Sequence, residues 1–278
     1  MKTGARIQGP GASEVTFHEL LMNPDLEHKN EEATKKAMNG FDEFAEYDRS
    51  LFDRLPAVFL EGAHLSSLYT LAHPKNQLNE MDAFRMIRDR GAELPLSPET
   101  ILSVYATMTA GTERQGQGFR TENCYVQGRE YFYVAAAPED VPDAVSELCG
   151  KYRHLNDPEP ELFDDIFRFA LEFICIHPMA DGNGRLSVFL TQLLLARMGL
   201  ACAVYLPLDF VQRILHAELW QLQVLKASGM FYGHKPLEYD AYTAFLKKCL
   251  SESYLYLDEA CRKYAGNSGL QRSGIPSN

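Results

Sequence analysis

Nine consecutive residues, His177-Pro178-Met179-Ala180-Asp181-Gly182-Asn183-Gly184-Arg185, bring together an imidazole, a carboxylate, two glycines and a guanidinium. Histidine is the side chain best placed to accept a proton near neutral pH. Gly182 and Gly184 flank Asn183 and permit a tight turn whose main-chain N–H groups can approach a ligand closely. Asp181 offers a hard oxygen of the kind Mg²⁺ takes when it shares its shell with phosphates, and Arg185 offers a planar fork of donors matched to phosphate oxygens. Any one of these residues is ordinary in a turn; their combination points to phosphoryl-group chemistry. Two other loop chemistries fail on spacing. A calcium loop starting at Asp181 would need Gly at its sixth position and Glu at its twelfth, where Leu186 and Gln192 stand. A Walker-type loop would need Gly-Lys-Ser/Thr after the glycines, and none follows.

Two apolar segments hold this loop. Upstream, Leu162, Ile166, Phe169, Ala170, Phe173 and Ile174 recur at helical spacing, and Pro178 disfavours helical geometry at His177. The histidine is therefore expected at a helix exit. Downstream, Leu186, Val188, Phe189, Leu190 and Leu193 to Leu195 predict a second helix, apolar on nearly every face and ended by Gly199. The glycine loop thus stands at a helix N-terminus, a place that attracts anions.

The run resembles the signature of the Fic family, His-x-Phe-x-Asp/Glu-Gly-Asn-Gly-Arg-x-x-Arg. That resemblance implies a protein-modifying nucleotidyltransferase, with AMP moved from ATP to a Ser, Thr or Tyr hydroxyl of a target protein. By the same resemblance His177 is the general base, Asp181 the Mg²⁺ ligand, and Gly182, Asn183, Gly184 and Arg185 the phosphate cradle. Met179 replaces the family's Phe, and Val188 replaces its second arginine. The hold on a terminal phosphate is then expected to weaken by roughly ten- to a hundredfold unless another cation substitutes. Glu61-Gly62 resembles the end of the family's inhibitory helix, which gives Glu61 a regulatory role by resemblance, although Ala57 stands at the hydroxyl position of that pattern.

The chain of 278 residues is 46% hydrophobic and 11% aromatic, a globular composition large enough for a sizeable core. A formal net charge of −11 argues against non-specific binding of nucleic acid, so a protein or small molecule is the expected partner. Six cysteines without paired spacing suggest neither a zinc site nor a disulfide framework. No apolar run reaches membrane-spanning length and the N-terminus lacks a signal-peptide core, which together predict a cytoplasmic protein; delivery into a host cell by another signal stays open.

Residues 1–50 read as a loose tail followed by a charged helical extension. A helix is expected around Asn79–Arg90, and Ser97-Pro98-Glu99-Thr100 is a start signal for another, to about Ala110. The β-prone runs that surround Gln127-Gly128 predict a hairpin containing Tyr125, Val126, Tyr131, Phe132 and Tyr133. On the family resemblance this hairpin is a flap that pins the target segment by strand addition. Further helices are expected from Asp140-Val141-Pro142 to about Tyr152, from an Asp209 cap to about Ala227, and over about Tyr239–Tyr264. The expected architecture is an all-α, Fic-type domain of about eight helices with one β-hairpin, spanning 51–265, with a disordered tail at 266–278. Other enzymatic readings are transfer of UMP or a phosphocholine-type group from a different donor, and removal of AMP from modified protein. The reading from another class is a non-catalytic Fic-fold binding module.

Overall fold

The structure, a computed structural model, describes residues 41–55, 74–127, 132–217, 219–220, 223–224 and 237–272. Glu61, Tyr131, the N-terminal extension up to residue 40 and the last six residues lie outside the described residues. In chain order come α1 (Phe41–Phe52), α2 (Pro74–Arg90), α3 (Pro98–Thr109), the strands β1 (Tyr125–Gln127) and β2 (Phe132–Val134), α4 (Val141–Lys151), α5 (Phe163–Ile176), α6 (Asn183–Arg197), α7 (Leu208–Phe210) and α8 (Tyr239–Arg272). The fold is all-helical apart from one small ladder, in which Tyr125, Val126 and Gln127 pair antiparallel with Val134, Tyr133 and Phe132.

Burial explains the order of the layers. In α6 every residue from Leu186 to Leu195 is buried, and in α5 everything from Phe169 to Ile176 is buried. Helices apolar on all faces must be covered on all faces, so these two form the centre. α2 and α3 pack on α6 and on each other, while α4 and α8 pack on α5. Phe84 of α2 meets Phe189 of α6 with ring centroids 4.6 Å apart. α3 starts where its sequence signal lies, with Ser97 Oγ accepting from Thr100 N at 3.2 Å and Pro98 in the first turn. No described helix is long and apolar enough to cross a membrane, and none of the six cysteines forms a disulfide.

Two expectations from periodicity are corrected. α8 does not stop near Tyr264 but continues to Arg272, so residues 266–272 are helix rather than tail. Gly266 and Gly269 cost roughly 1 kcal/mol each, yet each keeps its N–H, so they weaken a helix without ending it. Nor does Asp209 cap a regular helix. It lies within α7, whose cap position is Pro207, and the chain then forms a π-helical turn over Val211–Leu215 closed by His216 N donating to Val211 O at 3.1 Å.

Three distant parts of the chain converge on Asp48 of α1, which is fully buried. Its carboxylate accepts from Ala201 N (2.7 Å) and Cys202 N (2.9 Å), just after α6, and from Tyr254 OH of α8 (2.7 Å). Burial is the largest influence on the carboxyl and raises its pKa, against these hydrogen bonds that lower it. Replacing Asp48 by Ala strands the buried Cys202 N–H and Tyr254 hydroxyl, at about 1–3 kcal/mol each, and the partly exposed Ala201 N–H at less. Asp48→Ala is expected to lose about 3 kcal/mol or more in urea unfolding, and Asp48→Asn, which keeps one acceptor oxygen, clearly less. Equal stability of Asp48→Ala and the parent would show that the three parts are held together by other contacts.

Candidate functional site

The site begins where α5 ends. His177 N donates to Phe173 O at 3.1 Å, and His177 itself takes a left-handed conformation (φ 54°, ψ 58°) that ends the helix. Among the described residues it is the only non-glycine with positive φ. Such a conformation costs an ordinary residue about 1 kcal/mol or more, so surrounding contacts must enforce it. Arg120 supplies them. Its main-chain N donates to Pro178 O (2.9 Å), and its Nε donates to His177 O (2.7 Å). The same guanidinium, in a residue 5% exposed, donates to Glu122 O (2.8 Å) and to Ala136 O. With Ala135 N donating to Cys124 O at 3.0 Å, this ties the base of the ladder to the first residues of the motif loop.

Burial drives the His177 imidazole down to a pKa of about 4 from an ordinary 6.5. The positive charge of Arg120 acts in the same direction, while a hydrogen bond to the main chain of Ile174 and the charge of Asp181 oppose it. The ring is therefore neutral at pH 7, the form that can accept a proton.

The loop beyond it is closed by Asn183. Asn183 Oδ1 accepts from Met179 N, and its Nδ2 donates to Met179 O, both at 2.8 Å. Met179, at the position of the family's Phe, is fully buried. The side-chain amide of Asn183 thus uses both its polar atoms to brace the loop. Gly182, left-handed at φ 83°, stands at the N-cap of α6 and has no side chain with which to cap it. The first N–H groups of a helix have no acceptor within the helix itself, which makes such an end attractive to anions.

Asp181 is largely exposed. Its Oδ1 accepts from Gly182 N at 2.7 Å and its Oδ2 lies 3.9 Å from Arg185 Nη2. Among the described residues no group of three His, Cys, Asp or Glu side chains could hold a metal between them. A single exposed carboxylate still fits Mg²⁺, which keeps several waters and takes its other ligands from phosphates.

Three further residues close on this loop without having been singled out for it by the sequence. Tyr105 of α3 is 1% exposed, and its hydroxyl has no hydrogen-bond partner among the described residues. Its ring edge would lie 3.7 Å from a Cβ placed on Gly182, within the fields of Asp181 and Arg185. Arg213, on the π-helical turn, lies against Gly184, where an added Cβ would come within 2.7 Å of its Nη1, and Trp220 lies against the same glycine. The only sequence signal for Arg213 was its i,i+4 spacing from Asp209, which reads as a surface helix pair. The role of Arg120 towards the motif loop was not legible, because its partner there, the main-chain carbonyl of His177, is remote in sequence.

The low pKa of His177 yields a measurable titration. An imidazole depressed from 6.5 to about 4 favours the fold fully above pH 6.5, and that contribution is lost as pH falls towards about 4. In an NMR titration, the His177 ring is expected to stay neutral through pH 5.5, while solvent-exposed histidines protonate near 6.5. A midpoint near 6.5 for His177 would mean that the ring is solvated and its neutrality at pH 7 owes nothing to burial.

Residues 95–195 match the family model described as the Fic/DOC family. No curated protein matches the chain. Among solved structures, a Fic domain containing signaling protein from Bacteroides thetaiotaomicron VPI-5482 is similar over 90% of this chain and 95% of its own, at 19% identity and a TM-score of 0.51. A Fic family protein from Desulfovibrio desulfuricans G20 is similar over 94% of this chain and 70% of its own, at 16% identity and a TM-score of 0.49. Such identities speak to fold alone, and the first of the two supports the helical architecture described above. The segment that matches the Fic/DOC family model contains the whole loop from His177 to Arg185.

Proposed function

We propose that this protein is a nucleotidyltransferase that moves AMP from ATP to a Ser, Thr or Tyr hydroxyl of a protein target. The observation that carries this reading is a neutral imidazole at the left-handed end of α5, followed after a six-residue motif loop by the glycine-capped start of α6 with Arg185 in its first turn. His177 takes the proton of the target hydroxyl as its oxygen bonds to the α-phosphorus. The bond from that phosphorus to the bridging oxygen breaks, and diphosphate leaves with the electron pair. The main-chain N–H groups of Asn183, Gly184 and Arg185 and the Arg185 guanidinium face the charge that develops on the phosphoryl oxygens. Mg²⁺, when held through Asp181, would neutralise charge on the departing diphosphate.

The ladder has a part in the same scheme. It is two strands wide, so an extended target segment could add to it, matching main-chain hydrogen bonds as strand addition does. Tyr125, Val126, Phe132 and Tyr133 are the paired residues, and Arg120 fixes the base of this ladder to the loop that carries the base His177.

Intact-protein mass spectrometry after incubation with protein extract and ATP, UTP or a nucleoside diphosphate conjugate reads the transferred group directly. An AMP increment with ATP is expected, and it should fall by about 10²–10⁴-fold in His177→Ala at unchanged folding. An increment of different mass would replace AMP in the scheme. Absence of any increment with every donor would leave the binding-module reading in its place. For the ladder, Val126→Pro removes an N–H and is expected to reduce target labelling far more than Val126→Ala, with ATP affinity held within about twofold in both. Parallel loss of ATP affinity would assign the ladder to the nucleotide instead.

A further inference from the structure

The second arginine of the family signature is absent, and the structure indicates why Val188 is a poor place to restore it. Val188 is 2% exposed, on the helix that is buried all round. Helical side chains lean towards the N-terminus and residues four apart share a face, so a long side chain at 188 would reach back over the turn that contains Gly184. That space is not empty of cation. Arg213 Nη1 would lie 2.7 Å from a Cβ at Gly184 and its Cδ 3.2 Å away, so the arginine approaches the helix closely because residue 184 has no side chain.

Its orientation is set from behind. Arg213 Nε lies 2.8 Å from Asp209 Oδ1, at ion-pair distance although the N–H is out of line for a hydrogen bond. Asp209 is itself 8% exposed. The carboxylate thus holds the Nε edge of the fork while an Nη corner faces the first turn of α6. Among the described residues no acceptor takes a hydrogen bond from Arg213. Across the same loop, beside Gly182, stands the ring of the buried Tyr105, whose hydroxyl has no partner among the described residues. Two residues outside the motif, each with a group able to donate to phosphate oxygens, therefore border the start of α6.

We propose that Arg213 is the second phosphate-binding cation of this site, supplied from the π-helical turn in place of the arginine missing at 188, and that it takes the terminal phosphates of a nucleoside triphosphate. This rests on the nucleotide reading given above. It supplies the substitute cation without which the sequence predicts a weak hold on a triphosphate, and it sets the donor class as a triphosphate.

Isothermal titration with ATP and with AMP, in the presence of Mg²⁺, separates the two ideas. Arg213→Gln is expected to weaken ATP by about ten- to a hundredfold and AMP by no more than about twofold; Arg213→Lys should fall between. Because Arg213→Gln leaves Asp209 buried without its cation, Asp209→Asn with Arg213→Gln serves as a second variant, and the selective loss of ATP should persist in it. If the parent protein binds ATP and both variants bind it equally well, Arg213 is a structural partner of Asp209 and the inference falls while the nucleotide reading stands. Equal losses for ATP and AMP would also overturn it. A parent protein that binds neither nucleotide overturns the functional reading and this inference together.

Discussion

One buried guanidinium fixes the geometry on which the site depends. Arg120 binds main-chain carbonyls on both sides of a gap in the sequence of nearly sixty residues, those of Glu122 and Ala136 near the ladder and that of His177 in the motif loop. An arginine suits this task because its planar fork presents several donors in fixed directions and stays charged when desolvated. Its charge disfavours an imidazolium at His177, while its hydrogen bond secures the left-handed turn that ends α5. Arg120 therefore fixes the position of the proposed base and adds to the burial that keeps it neutral. Lysine could not substitute, since a single ammonium cannot span the same set of carbonyls.

Around that point the structure divides its labour between side chain and main chain. Asn183 faces inward and braces Met179, Gly182 contributes shape alone, and the helix end contributes N–H groups. A side chain at 182 would need the left-handed conformation that L residues rarely adopt, and one at 184 would displace Arg213. The glycines are thus required for different reasons, the first by backbone conformation and the second by the close approach of another side chain.

The sequence made the local features readable. Helical spacing of apolar residues located α5 and α6, the Ser97-Pro98 pair located the start of α3, and the β-prone runs located the ladder. Each is a signal contained within about ten residues. What could not be read was whatever depends on contacts between remote segments. Asp48 looks like any charged residue of an amphipathic helix until Ala201, Cys202 and Tyr254 are brought to it. Arg213 looks like half of a surface ion pair until the π-helical turn presents it to Gly184. Val188 shows the opposite failure: compared with a family pattern it reads as a lost function, and in three dimensions it reads as a core residue.

The bare start of α6 has a consequence for how the protein responds to what it binds. Most helices complete their first turn with a Ser, Thr, Asp or Asn of their own, whereas this one starts at a glycine with nothing to contribute. An anion bound there completes the helix as a side chain otherwise would, so binding energy is also folding energy. By linkage, a ligand at a hundred times its dissociation constant raises the unfolding free energy by about 2.7 kcal/mol. If the ligand is the nucleotide proposed above, the unliganded protein is the less stable form, and resistance to proteolysis rises with the supply of nucleotide.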